Sequence, residues 1–217
     1  MKPIDYRLYL VLDPNLCGGP QGMVRTAVAA ARAGAGIIQL RAPDWKKRAI
    51  ADCGRELLSA LAPFGIPLVI DDHVDVAMAI GAQGVHVGQK DLSARDARRL
   101  MGPGALVGLS VSNAPELEAS RQLVAEGAVD YLGIGPVAAT RTKPDAASPL
   151  GIEGFAKLAA AKPCPVVAIG SVKAGNAPAL ARAGADGVAV VSAICGQKDP
   201  EASAASLLAA YLSGIAS

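Results

Sequence analysis

A chain of 217 residues with 52% hydrophobic content and no charge-biased tail has the size of one compact α/β domain spanning 1–217, because undivided barrels run to roughly 200 to 250 residues. A formal net charge of +2, with 21 Lys and Arg dispersed along the chain, leaves no basic stripe, so neither nucleic acid nor a membrane surface is an expected partner. Cys17, Cys53, Cys164 and Cys195 match no metal or redox spacing and read as reduced packing residues. The first apolar run, residues 8–12, is far shorter than a span of about 20 residues, and a cytoplasmic location is expected.

In chain order, a strand over 8–12 is followed by an amphipathic helix over 22–32, and Gly34-Ala35 turns the chain into a second strand over 37–40. A helix over 46–61 leads through Pro67 to a strand over 68–70, and Gly81-Ala82 introduces a fourth over 84–87. A helix over 93–100, a strand over 106–109 and a helix over 114–125 come next, and Gly127-Ala128 precedes a strand over 131–134. Helix 151–161, strand 166–169 and helix 176–182 then reach Gly184-Ala185 and an eighth strand over 187–191.

The four Gly-Ala corners share one pattern: an alanine-rich helix end, a glycine able to take the left-handed cap conformation, and an apolar run buried on both faces. Alternating strands and helices imply a parallel sheet. A doubly wound open sheet is the competing architecture, but eight similar units with an internal repeat favour closure into a (β/α)₈ TIM barrel.

Strand starts carry Gly, Ala and Pro, whereas polar residues gather where strands finish: Gln39 and Arg41, Asp71 and Asp72, Gln89 and Asp91, Ser110, Thr140 to Lys143, Ser171, Ser192. In parallel barrels the loops at that end build the active site. Asp72 and Asp91 leave neighbouring strands and either converge on a hard cation such as Mg²⁺, with a diphosphate as the third party, or serve as helix N-caps and surface acids. Gly170-Ser171 and Val191-Ser192 follow the last two strands, where backbone N–H groups commonly cradle a phosphate. The long stretch 135–150 holds Thr140-Arg141-Thr142-Lys143, hydroxyls and cations suited to phosphate oxygens or to a solvated loop. His86, inside the fourth strand, reads as a satisfied core residue, and His73 as a site residue or a cap. No Ser-His-Asp triad, zinc cluster or GxGxxG turn is present.

Taken together, Gln39-Leu40-Arg41, Asp71-Asp72, Gly84 to Asp91, Gly108-Leu109-Ser110, Gly135 to Lys143, Ile169-Gly170-Ser171 and Val190 to Ile194 resemble the motif series of the thiamine phosphate synthase (thiamine-phosphate pyrophosphorylase) family over nearly the whole chain. The resemblance implies a transferase that joins 4-amino-2-methyl-5-(diphosphooxymethyl)pyrimidine to 4-methyl-5-(2-phosphoethyl)thiazole, giving thiamine phosphate and diphosphate with Mg²⁺ as cofactor. It implies that Asp72 and Asp91 hold the metal, that Gln39, Arg41, Asp71, Ser110 and Lys143 meet the pyrimidine diphosphate, and that Thr140, Thr142, Gly170, Ser171, Val191 and Ser192 hold the thiazole phosphate. Arg41, Ser110 and Lys143 carry the catalytic roles in that scheme, which resembles a dissociative reaction through a pyrimidinylmethyl cation.

Three positions depart from the family pattern: Pro43 stands where a lysine is usual, Asp71 where an asparagine is, and Ser171 where a second glycine is. The first two make the site more negative by two charges, each worth about 3 kcal/mol against a like charge about 5 Å away at an effective dielectric of about 20, before screening. Lys46, Lys47 or Lys90 would compensate, or Asp71 would become an extra metal ligand. The second reading is a thiazole tautomerase-like or diverged phosphate-binding barrel; Ser112 stands where such tautomerases look to carry a histidine. The partners expected are phosphorylated small molecules, and a homo-oligomer is compatible with the sequence.

Overall fold

A computed structural model describes residues 3–140 and 147–216. Eight strands, β1 (Leu8–Leu12), β2 (Ile37–Leu40), β3 (Leu68–Asp71), β4 (Gly84–Val87), β5 (Leu106–Val111), β6 (Tyr131–Ile134), β7 (Val166–Ile169) and β8 (Gly187–Val190), form a closed barrel in sequence order. Every neighbouring pair is parallel, and β8 returns to β1 with Leu8 opposite Val188 and Leu10 opposite Val190. Closure leaves no unpaired strand edge. The open-sheet alternative is thereby excluded.

The strands are apolar almost throughout because both faces are covered. Alternate residues point inward, where Tyr9, Val11, Ile37, Val69, Leu106, Tyr131, Val167 and Ala189 pack as the barrel's own interior. The other set meets the helices in a larger outer core that includes Leu10, Ile38, Leu68, Ile70, Val85, Leu132 and Val188.

The helices of that outer layer are α1 (Pro14–Cys17), α2 (Pro20–Arg32), α3 (Lys47–Leu61), α4 (Val74–Ile80), α5 (Ala94–Met101), α6 (Ala114–Ala125), α7 (Gly151–Ala159), α8 (Ala177–Arg182) and α9 (Pro200–Ile215), with a 3₁₀ turn over Ala62–Phe64. Several start on side-chain caps: Asp13, Ser93, Asn113 and Asp199 each accept from a backbone N–H three residues on, at 2.9 to 3.1 Å. Strands β3 and β5 run one and two residues further than the apolar runs suggest. Asp71 and Ser110 are therefore paired strand residues rather than loop residues.

Gly34, Gly81, Gly127 and Gly184, the four corner glycines, have φ of 96°, 70°, 70° and 94°. This is the left-handed region that a residue with a Cβ enters only at a cost. Three of the corners share a further device. Gln83 Oε1 accepts the Leu68 N–H at 2.9 Å, Asp130 Oδ2 the Val107 N–H at 2.7 Å, and Asp186 Oδ2 the Val166 N–H at 2.8 Å. A polar side chain just past the corner thus closes the N-terminal end of the preceding strand. Arg98 and Lys162 bind the Asp130 and Asp186 carboxylates at 2.5 and 2.6 Å.

Replacing Asp186 by alanine strips Val166 of its partner at the closed end of the barrel. Urea unfolding of Asp186→Ala is expected to show a loss of about 1 to 2 kcal/mol, the usual cost of an abandoned donor with part of its pair exposed. An unchanged midpoint would show that the corner carboxylate contributes nothing.

Candidate active site

The C-terminal ends of the strands form the opposite mouth, and strand register decides which side chains meet there. Asp71 pairs with His86, His86 with Gly108, and Gly108 with Tyr131, one inward-facing row across β3 to β6. Two residues further along β5, Ser110 lies opposite Gly133. On the adjoining strands β1 and β2, Val11 lies opposite Gln39, which is 4% exposed and faces the interior.

These side chains form one hydrogen-bonded chain. The Gln39 amide donates to the Tyr9 hydroxyl at 2.7 Å, the Tyr9 and Tyr131 hydroxyls are 2.8 Å apart, Tyr131 reaches His86 Nδ1 at 3.0 Å, and His86 Nε2 lies 2.9 Å from Ser110 Oγ. Burial pushes the pKa of both phenols well above the ordinary tyrosine value, so they stay protonated. The chain thus links two residues expected to meet the substrate, Gln39 and Ser110, through three that sequence reading assigned no site role. His86 is satisfied, as expected of a core histidine, and it also touches the site. Its motif, Gly-Val-His-Val-Gly-Gln, was the available signal.

Arg41 follows β2 directly, and its Nε lies 3.2 Å from the Asp71 carboxylate. Both side chains are about four-fifths buried, at 20% and 15% exposure. The extra negative charge of this sequence therefore sits against the arginine expected to face a diphosphate. Lys47, a possible compensating cation, pairs instead with Asp75 of α4 at 2.8 Å.

Asp72 takes a left-handed backbone with φ of 56°, and its N–H donates to the His86 carbonyl at 2.8 Å. Asp91 Oδ2 accepts the Gly88 N–H at 2.9 Å and closes the turn after β4. Neither is a helix cap: His73 holds that place for α4, and Ser93 for α5. Among the described residues no cluster of three or more acidic, His or Cys side chains suits a metal ion. Two carboxylates from adjacent strands suit Mg²⁺, which keeps its waters and completes its shell with substrate phosphate.

The β7 end carries two successive left-handed residues, Gly170 at φ of 96° and Ser171 at 55°. A Cβ on Gly170 would run into Pro136 and the Val137 amide, so glycine is required there. Ser171 takes an unfavourable conformation for a residue with a Cβ, and its Oγ donates to the Ala139 carbonyl at 2.5 Å. This bond ties the β7 turn to the segment leading to Thr140, which a glycine could not do. Val191 and Ser192 follow β8; the Val191 carbonyl accepts the Cys195 N–H at 2.9 Å and the Ser192 carbonyl accepts from Gln197 at 2.8 Å. Arg141, Thr142 and Lys143 lie outside the described residues.

A family model described as thiamine monophosphate synthase matches residues 8–194. A thiamine-phosphate synthase of Laribacter hongkongensis is 54% identical over 201 residues, covering 93% of each chain. One of Xanthobacter autotrophicus is 48% identical, covering 97% of this chain and 98% of its own. The solved thiamine phosphate pyrophosphorylase of Pyrococcus furiosus superposes with a TM-score of 0.85 at 29% identity, covering 98% of both chains. A match of this extent to the family model, with relatives this similar over nearly full length, means that the chain belongs to the thiamine monophosphate synthase family.

Proposed function

We propose that this chain acts as one barrel domain that joins 4-amino-2-methyl-5-(diphosphooxymethyl)pyrimidine to 4-methyl-5-(2-phosphoethyl)thiazole at the mouth of the barrel. Family membership over residues 8–194 carries the reading. The bond between the pyrimidine methylene carbon and the diphosphate oxygen breaks, and its electron pair leaves with diphosphate. The thiazole ring nitrogen then donates its lone pair to the methylene carbon, giving thiamine phosphate. Because the cation forms before it is captured, the protein's work is positioning and charge stabilisation rather than supply of a nucleophile.

The roles proposed are those that the family resemblance implies for these residues. Gln39 and Ser110 orient the pyrimidine, while Arg41 and Lys143 take the charge that builds on the leaving diphosphate. Asp72 and Asp91 would hold Mg²⁺, which when bound neutralises part of that charge. Thr140, Thr142, Ser171, Ser192 and the backbone at Gly170 and Val191 hold the thiazole phosphate. Ser112, where a tautomerase histidine would stand, binds Glu116 through both its N–H and Oγ at 2.7 and 2.9 Å, in the cap of α6. That engagement favours coupling over tautomerisation.

The four cysteines stand as free thiols, and no helix among the described residues is long and apolar enough to cross a membrane. Both fit a cytoplasmic enzyme working on small phosphorylated substrates, with homo-oligomers compatible.

A thermal-shift screen tests the reading. The pyrimidine diphosphate with Mg²⁺ is expected to raise the melting temperature of the parent but not of Asp72→Asn, whose fold should be intact; a response to thiazole phosphate with none to the pyrimidine diphosphate would point to a tautomerase. Asp71→Asn removes the carboxylate that occupies Arg41. After screening, the gain of about 1.4 kcal/mol should lower the KM for the diphosphate roughly tenfold, and a raised KM would show that Asp71 serves the metal instead. Lys143→Ala removes a contact that strengthens in the transition state. It should slow coupling by about two to three orders of magnitude, and parental turnover would place the loop away from the diphosphate.

A further inference from the structure

The direction of the interior hydrogen-bond chain follows from counting protons. Tyr9 and Tyr131 are 1% and 0% exposed, so their hydroxyl protons need acceptors inside the protein. The Tyr9 oxygen already accepts from the Gln39 amide, which leaves the Tyr131 oxygen to receive the Tyr9 proton. The Tyr131 proton then goes to His86 Nδ1. An imidazole that accepts at Nδ1 carries its proton on Nε2, and that proton points at Ser110 Oγ. Having accepted there, Ser110 keeps its own hydroxyl proton for the mouth. In the reverse direction the Tyr9 proton would meet no acceptor in the chain, a buried donor left unmet.

The surrounding strands keep room for this arrangement. A Cβ at Gly108 would overlap both the Tyr131 hydroxyl end and His86 Nδ1, and one at Gly133 would lie 3.2 Å from His86 Cε1. Gln89 Nε2 donates to the Ser110 carbonyl at 2.7 Å and fixes the end of β5 from the other side.

We propose that His86 is a positioning residue for the coupling reaction, holding the Ser110 hydroxyl as a donor toward the pyrimidine diphosphate, with its own tautomer set by the Tyr9–Tyr131 pair. The inference rests on the coupling function and adds a residue to it. It concerns which ring nitrogen carries the proton, not whether the ring gains a second one. His86 touches no substrate; it acts through Ser110, so its loss should appear in kcat more than in KM.

Two measurements test this. In ¹⁵N NMR of the unliganded parent, His86 is expected as the Nε2–H tautomer, and the Nδ1–H tautomer would overturn the inference. In kinetics, His86→Phe should lower kcat by about 10- to 100-fold with a small change in KM, the scale of a slightly misplaced reacting group. His86→Gln, whose amide can still donate to Ser110, should recover most of that loss. In a Ser110→Ala background His86→Phe should cost less than about threefold, because the group it positions is gone. An equal loss in both backgrounds, or a fully active His86→Phe, would refute a role through Ser110. A parent that makes no thiamine phosphate overturns the coupling function itself, whereas an active parent with the wrong tautomer overturns only this inference.

Discussion

A phenol hydroxyl on the axis of a closed barrel has no water to turn to, and two of them, on Tyr9 and Tyr131, lie there 2.8 Å apart. Leaving either unpaired would cost about 1 to 3 kcal/mol, a large part of the net stability of a domain this size. The interior is built around meeting that demand. Gln39 supplies the proton at one end, His86 accepts at the other, and Gly108 and Gly133 vacate the space the imidazole needs. Because the chain ends on Ser110 at the mouth, a requirement of folding is also an orientation imposed on the site.

The two ends of the barrel divide stability from function. At the closed end, carboxylates and an amide cap strand N–H groups, and left-handed positions are given to glycine. At the mouth, Asp72 and Ser171 take the left-handed conformation although each carries a Cβ. Such positions cost of order 1 kcal/mol or more and persist where the surroundings hold them. Here a bond to the His86 carbonyl holds the first and one to the Ala139 carbonyl holds the second. The Arg41–Asp71 pair belongs to the same end: two charges are kept partly out of water beside the place proposed for the diphosphate.

The barrel was legible in the sequence because its signal is periodic. Gly34, Gly81, Gly127 and Gly184 recur before apolar runs, and each takes the conformation that a helix-to-strand corner requires. Polar residues at strand ends marked the mouth for the same reason. What could not be read were facts of register. That His86 falls between Asp71 and Gly108, and so reaches Tyr131 and Ser110, depends on how far each strand slides past its neighbour, which local pattern does not encode. The same holds for the pairing of Asp71 with Arg41: the sequence showed an added negative charge but not which cation it would occupy. Strands β3 and β5 outlast their apolar runs because Asp71 and Ser110 face the mouth, where a polar side chain can stay paired in the ladder.

The proposed chemistry is the coupling of two phosphorylated halves at this mouth. Its most direct measurement is to incubate the purified protein with the pyrimidine diphosphate, the thiazole phosphate and Mg²⁺, and to follow thiamine phosphate and released diphosphate together. Equal amounts of both products are expected, and neither when the thiazole phosphate is left out. Diphosphate released without thiamine phosphate, or no product from both substrates together, would contradict it.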